Sequence, residues 1–446
     1  MTRTVVAGGS MAGLLTALVL GEDSDVTVVE PDDLAAAPDH RAGVPQSTQA
    51  HVLLSRGAAA LEELLPGLQA ELAAAGAPIH PAGMGPDSGF RMVGPDGPFA
   101  AVTSETDVIV GASRPLLERT VRRRVLAHPR IDVHSGRRLS GLEVDAGRIT
   151  GARVRAGATE ETLAADLVVD ATGRHSRSPQ MLAAAGIGPV PEVEFRPAVG
   201  YASRRYRRPT SPSAGWHGTM VLARPGENPR IGTLLPAEND TCIVNLGGMG
   251  GHYPPTDDDG FRRWARDLPD PGLHEALTEA TPLSEVHAYR TPTTRLRRFE
   301  RLRAPRGFFA IGDAVASFNP VYGQGMSVAA LEALAVRAVL RRAPRDLATA
   351  ARRAVAAVAA GPWSLAAGQD RPWTGDRRSV LDRVRDSYLR AVQSSATEDP
   401  VVAGAFAEIL MMTAGPSALM RPAVLGRVAT HRWHRRHDRP EMEVTR

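Results

Sequence analysis

Lysine is missing altogether: the 53 basic residues other than histidine are all arginine. A compositional bias of the coding sequence explains this plainly; a demand for anion-binding guanidinium groups is the sharper reading. Since 49 acidic residues offset the arginines and leave a net charge of +4, a nucleic-acid partner is poorly supported. Cysteine is nearly absent as well. Cys242 alone can form neither an internal disulfide nor a cysteine-cluster metal site, so no metal is expected and a reducing, cytoplasmic setting fits. There is no run of 18 apolar residues, and the chain enters a strand by residue 4 without signal-peptide architecture. Neither a spanning helix nor integral membrane association is therefore expected. What remains is ordinary for a globular protein: 446 residues, 43% hydrophobic and 23% charged, room for two or three domains and a sizeable core.

The most informative stretch is Phe308 to Ser327, FFAIGDAVASFNPVYGQGMS. An apolar strand run stops at Gly312-Asp313; after a loop with Asn319-Pro320, Gly323 and Gly325 open an apolar helical pattern. A carboxylate at the end of a buried strand sits where open α/β sheets bind ligands. Glycines at a helix start let backbone N–H groups and the positive end of the helix dipole approach an electron-rich group. Together they suit a long ligand with a polyol and a ring system, such as a flavin with its ribityl chain.

The N-terminus carries a related pattern. Thr4 to Ala7 reads as a buried strand, Gly8-Gly9-Ser10-Met11-Ala12-Gly13 as the turn, and Leu14 to Val19 as a helix. Val26 to Val29 is the next strand and ends on Glu30, 22 residues after Gly8. That spacing suits a dinucleotide fold in which the acid bonds a ribose hydroxyl, with Ser10 where the second glycine usually stands. Arg41, in Asp39-His40-Arg41-Ala42-Gly43-Val44-Pro45-Gln46, can reach back to phosphate or ring. Ser113 is expected to cap a helix that begins with Arg114-Pro115. A third strand ends in Asp170, within Asp170-Ala171-Thr172-Gly173-Arg174. Runs at Ile131 to His134, Leu139 to Val144 and Ile149 to Val154 suggest a meander, and residues 77–104 a small hairpin insertion. Alternating stretches between 195 and 302 read as antiparallel strands with one helix near Phe261 to Asp267. Helical patterns follow at Ala348 to Ala360, Arg377 to Ser394, Val401 to Thr413 and Ala423 to Arg432.

With these motifs in hand, the chain resembles the flavin-dependent monooxygenases of the aromatic-hydroxylase type. The VVDATGRHSR, HRAGVPQ and FNPVYGQGMS segments are similar to bacterial polyene epoxidases of polyether antibiotic pathways, the monensin and lasalocid type. The resemblance implies an α/β fold: a Rossmann-like FAD-binding domain (1–76, 105–190, 303–345) with an inserted, mainly antiparallel β-sheet substrate domain (77–104, 191–302). A C-terminal helical region (346–432) and a flexible tail (433–446) complete it. It implies that Gly8, Ser10, Met11, Ala12 and Gly13 surround the pyrophosphate of FAD and that Glu30 holds the adenosine ribose. Arg41 and Arg114 would contact the phosphate or ribityl region, and Asp313 a ribityl hydroxyl. Pro320, Gly323, Gly325 and Met326 would border the ring, and Asp170 would belong to a middle motif tied to flavin and NADPH. Ser327 stands where many relatives have asparagine.

The implied reaction reduces FAD with NAD(P)H, directly or through a separate flavin reductase, and moves one atom of O2 into a hydrophobic substrate that is free or carrier-protein-bound. Oxygenation of an alkene in a polyketide or terpenoid intermediate leads. Hydroxylation of an aromatic or polyketide ring and flavin-dependent reduction of isoprenoid double bonds are the alternatives, with a non-enzymatic nucleotide-binding role behind them. Epoxidation needs no protein nucleophile, and no catalytic residue is assigned. Tyr201, Trp216, His217 and Tyr289 are candidates to line the substrate pocket. A halogenase is disfavoured because no W-x-W-x-I-P motif occurs.

Overall fold

The computed structural model describes residues 2–34, 36, 41–85, 89–208, 217–291, 293–303, 305–375 and 379–437. Asp39, His40 and Trp216 lie outside them. The central layer is a five-stranded parallel sheet in the order Phe308–Ala310, Leu167–Asp170, Thr2–Ala7, Ser24–Glu30, Ile131–Ser135. Its three middle strands are short Val-rich runs, as strands covered on both faces must be. Ala7 pairs with both Val29 and Asp170, and Asp170 pairs with Ala310. In consequence Gly8, Glu30, Asp170 and Gly312 all leave the sheet at its carboxyl edge. Helix Met11–Gly21 packs beside helix Gly325–Arg341 over this sheet, and both join the main hydrophobic core.

Two expectations about strands are corrected. Ile131–Ser135 belongs not to the meander but to the parallel sheet, beside Ser24–Glu30. The meander instead comprises Arg138–Asp145, Arg148–Ala156 and Thr159–Ala164. In the early insertion, Ile79–Met84 pairs antiparallel with Val102–Val110, a longer excursion than residues 77–104. Between them Phe90–Gly94 departs to lie parallel to Gly218–Val221, joining the large sheet with Arg230–Ala237, Thr241–Gly248, Val199–Arg207 and His287–Thr291. Helices Asp258–Arg266 and Gly272–Glu279 cover that sheet through Phe261, Ala265, Leu273 and Leu277.

The helix expected to end at Ala360 runs from Leu347 to Asp370 through Pro362. Buried Ala359, Trp363 and Ala366 hold it against the core, and this packing offsets the backbone hydrogen bond a proline forfeits. Further helices span Val380–Ser395, Pro400–Leu410 and Pro422–His437. The first starts on a Ser379–Asp382 capping box, and the last continues past residue 433, where the tail was expected to begin.

Candidate functional site

At the carboxyl edge, close packing dictates the first turn. Gly8 has φ +110°, and a Cβ there would lie 2.3 Å from the Ala171 carbonyl oxygen. A Cβ on Gly13 would lie 1.8 Å from the Gly8 oxygen, so the helix can approach the turn only as glycine. Ser10 takes the N-cap position without capping the helix; its hydroxyl instead receives a hydrogen bond from Arg114 Nη2 at 2.8 Å and donates to Glu118 at 3.2 Å. Met11 is buried and Ala12 half-buried at the helix start.

Glu30 is buried and accepts the N–H of Gly9 at 2.6 Å and of Asp32 at 3.1 Å. Burial raises its carboxyl pKa against those two bonds and the nearby Arg41 charge. Arg41 pairs with Glu30 at 3.4 Å, with Asp32 at 3.5 Å, and with Glu118. Arg114 donates to Glu118 at 3.0 Å. Burial alone would push Glu118 up, but the two guanidinium groups hold its pKa below the ordinary range. Glu118 is thus the hub of the cluster. It went unpicked in the sequence, although its i,i+4 spacing from Arg114 was an available clue.

Asp170 is fully buried. One of its oxygens accepts the Thr172 N–H at 2.9 Å and the Thr172 hydroxyl at 2.6 Å; the other accepts Ser176 Oγ. Its carboxylate therefore shapes its own turn rather than facing outward. Arg174 donates to the carbonyls of Thr293 and Phe318 and so ties this turn to the second half of the site.

Gly312, at φ +65°, donates its N–H to Glu332 at 2.7 Å and leads into Asp313. Asp313 accepts no hydrogen bond from any described residue. Burial raises its pKa, while Arg174, Arg114 and Arg297 pull the other way. Pro320–Tyr322 form a single 3-10 turn, Gly323 has φ +62°, and helix Gly325–Arg341 begins with Met326 buried. Ser327 turns its hydroxyl against Gly57, whose Cβ would come within 2.1 Å of it. Below this loop lies a network the sequence did not disclose. Fully buried Asp370 accepts from Thr294 Oγ1 at 2.6 Å, Asn319 Nδ2 at 2.9 Å and the Tyr322 hydroxyl at 2.9 Å. Asn319 in turn accepts from the Tyr201 hydroxyl at 2.6 Å.

The loop lines part of an apolar pocket walled by Met92, Met220, Ile231, Met249 and Phe406. Among the described residues, no Asp, Glu or Arg lines it. His217 lines it, but Tyr201 and Tyr289 do not. Tyr201 is buried with its hydroxyl committed to Asn319, and Tyr289 is its partner on the next strand. His51 is a further residue missed from the sequence, in the segment between pocket-lining Ala50 and Val52. Its Nδ1 lies 2.8 Å from the Gln49 carbonyl, which can only accept, so Nδ1 carries the proton and Nε2 a lone pair. Burial, helped by the Arg114 charge, pushes its pKa down to about 4.

The family profile described as "FAD binding domain" matches residues 1–360. The chain belongs to that family. This FAD-binding protein is 32% identical over 459 aligned positions to Protein Rv3254 of Mycobacterium tuberculosis (strain ATCC 25618 / H37Rv), covering 96% of this chain and 93% of that one. Among solved structures, the flavin-dependent brominase Bmp2 superposes with a TM-score of 0.69 at 15% identity, covering 98% of this chain and 99% of that one. The p-nitrophenol 4-monooxygenase PnpA of Pseudomonas putida DLL-E4 gives 0.65 at 18%, covering 93% and 98%. At such identities the structural likeness concerns the fold: the FAD-binding protein shares a mixed α/β architecture with both. Among the described residues, no helix is long and apolar enough to cross a membrane, and no group of three potential ligands is placed to hold a metal.

Proposed function

We propose that this flavoprotein is a monooxygenase that inserts one atom of O2 into a large, uncharged, hydrophobic natural-product intermediate, with epoxidation of an alkene as the reaction. The observation that carries this reading is the pocket: it meets the Pro320–Gly323 loop, and among the described residues its lining holds no carboxylate or guanidinium. Along the apolar walls, away from Arg208 behind His217, an anionic group would lose its hydration without a counter-charge, at a cost far above what apolar contact returns.

The residues present fit FAD. Gly8 and Gly13 leave the first turn without side-chain bulk, and Asp313 offers a carboxylate with no donor among the described residues. The buried Gln324 Oε1 likewise lacks a hydrogen-bond partner among the described residues. Gly8 to Gly13 and Arg114 would hold the pyrophosphate, Glu30 the adenosine ribose, and Asp313 the ribityl chain. Pro320, Gly323, Gly325 and Met326 would border the ring. When bound, FAD supplies the electron transfer and O2 activation, with NAD(P)H as donor, directly or through a separate flavin reductase. The protein's part is to bind, orient and keep water out. The start of helix Gly325–Arg341 would contribute positive potential to a ring held there.

Epoxidation is preferred over ring hydroxylation because, among the described residues that line the loop end of the pocket, none is a base, and His51 beside the loop does not line it. Tyr322 there gives its proton to a hydrogen bond with Asp370. Hydroxylation of an aromatic or polyketide ring is the second reading, favoured by the two imidazoles farther along the pocket. The halogenase motif W-x-W-x-I-P is absent, and Trp363 stacks on Phe195 in the core. The test is to purify the protein, identify its chromophore, and incubate it with reductant and candidate polyenes under labelled O2. A product that gains one labelled oxygen and loses an alkene supports the proposal. A colourless protein that refuses added FAD, or reduction without oxygen incorporation, overturns it.

A further inference from the structure

The pocket is apolar except at a few points, and one of these is built from two imidazoles. His80 and His217 stack with ring centroids 5.2 Å apart and planes 15° from parallel, and both line the pocket. His217 is set by its backbone, which donates to the Gly89 carbonyl at 2.6 Å; a Cβ on Gly89 would lie 2.6 Å from the imidazole. Arg208 Nη2 lies 3.3 Å from His217 Nδ1. A guanidinium has only donors, so Nδ1 accepts and the neutral ring carries its proton on Nε2. His80 Nε2 is buried and makes no hydrogen bond with any described residue. Burial lowers the pKa of both rings, and Arg208 adds to it, so both are neutral near pH 7. The His217 Nε2–H is not closed off and is accepted by no described residue, which makes this a place where a ligand oxygen gains more than an apolar group.

The sheet fixes how far this point stands from the flavin-facing loop. A Cβ on Gly323 would meet Val52 at 3.1 Å. Leu53, next to Val52, bridges to Val110, and the strand carrying Val110 pairs His80 with Ile109. His80 is therefore two strands away from Val52, roughly 10 Å at ordinary strand spacing.

We propose that His80 and His217 form an oxygen-recognition point for the substrate: a hydrophobic molecule bearing one uncharged oxygen, as hydroxyl or carbonyl, about 10 Å from the carbon that is oxidised. This rests on the reading of the pocket as the substrate site and names its substrate class. A site built to bond an oxygen rejects the analogue that lacks it far more strongly than it distinguishes chain lengths.

The test needs no turnover. FAD-loaded protein is equilibrated with Nile red, and the dye is displaced with 1-decanol, decane and decanoate, comparing wild type with His217→Phe and His80→Phe. Phenylalanine keeps the stacked shape and removes the nitrogens. Wild type should prefer decanol over decane by about tenfold beyond their difference in partition, and bind decanoate least. Each variant should lose most of the decanol preference while decane affinity is unchanged. Equal discrimination in wild type and variants, or tight binding of decanoate, overturns the proposal, as does failure of Nile red to bind. Flavin content and labelled-O2 incorporation are read separately, so loss of oxygenase activity with the decanol preference intact would sink the functional reading and leave the recognition point standing.

Discussion

Glu332 gives the fold a pH dependence that one substitution removes. The side chain is fully buried; one oxygen accepts the Gly312 N–H at 2.7 Å, and the other has no hydrogen-bond partner among the described residues. Burial, opposed by that bond and reinforced by neighbouring Asp313, pushes its pKa from 4.5 up to about 8. The folded protein thus retains a proton that the unfolded chain releases. Its contribution to stability is complete below pH 4.5 and is lost as the pH rises to about 8. At about 1.4 kcal/mol per pH unit, the whole traverse amounts to about 5 kcal/mol, a large share of a typical domain's roughly 5–15 kcal/mol. Glu332→Gln keeps an acceptor for Gly312 and has no proton to give up. His51 acts in the opposite sense: held neutral down to about 4, it costs stability as the pH falls below 6.5. It is present in both proteins, so the difference between them isolates Glu332. Urea unfolding at steps from pH 5 to pH 9 is the assay. The variant should gain on wild type steadily, by several kcal/mol at the alkaline end. Parallel stability curves would refute the buried proton.

Two other substitutions probe the frame. Gly13→Ala puts a methyl group 1.8 Å from the Gly8 oxygen. The turn must open, at a cost of about 1–3 kcal/mol, and FAD affinity measured by flavin fluorescence should fall more than tenfold; unchanged affinity would remove the turn from the cofactor site. Asp370→Ala strands the donors of Thr294, Asn319 and Tyr322. It should destabilise by about 3–5 kcal/mol, whereas Asp370→Asn, which can re-form most of the network, should cost about 1 kcal/mol. Equal thermal midpoints for the two variants would show the network to be unimportant.

The sequence disclosed what neighbouring residues decide. Gly8, Gly13 and Glu30 announce a turn because strand, tight bend, helix and acid follow one another within a single supersecondary unit. Ser113 caps its helix as expected, accepting the Leu116 N–H at 3.3 Å. Long-range pairing was another matter. Ile131–Ser135 looks like any hairpin strand, and only its parallel pairing with a strand a hundred residues earlier moves it to the main sheet. Glu118 becomes a hub because Arg41, 77 residues away, folds back onto it. Tyr201 seemed a pocket residue on grounds of chemistry alone, yet its buried hydroxyl had to find an acceptor, and Asn319 supplied one.

The arginine-only composition can now be read physically. Arg41 and Arg114 share Glu118, and Arg41 also pairs with Glu30 and Asp32, so these guanidinium groups sit among carboxylates rather than forming a bare anion trap. The pocket has no carboxylate or guanidinium among the described residues of its lining. The molecule therefore segregates its electrostatics: ion pairs where a dinucleotide would lie, and mainly apolar walls where a substrate would react. Between the two stands the Asn319–Tyr322 loop, fixed from beneath by Asp370 at the end of a helix and by Tyr201 from the large sheet. Both the helix and the sheet thus bear on this loop, of which Pro320, Val321 and Tyr322 line the pocket. Small changes in either would be felt at the reacting end, even though neither Asp370 nor Tyr201 lines the chamber.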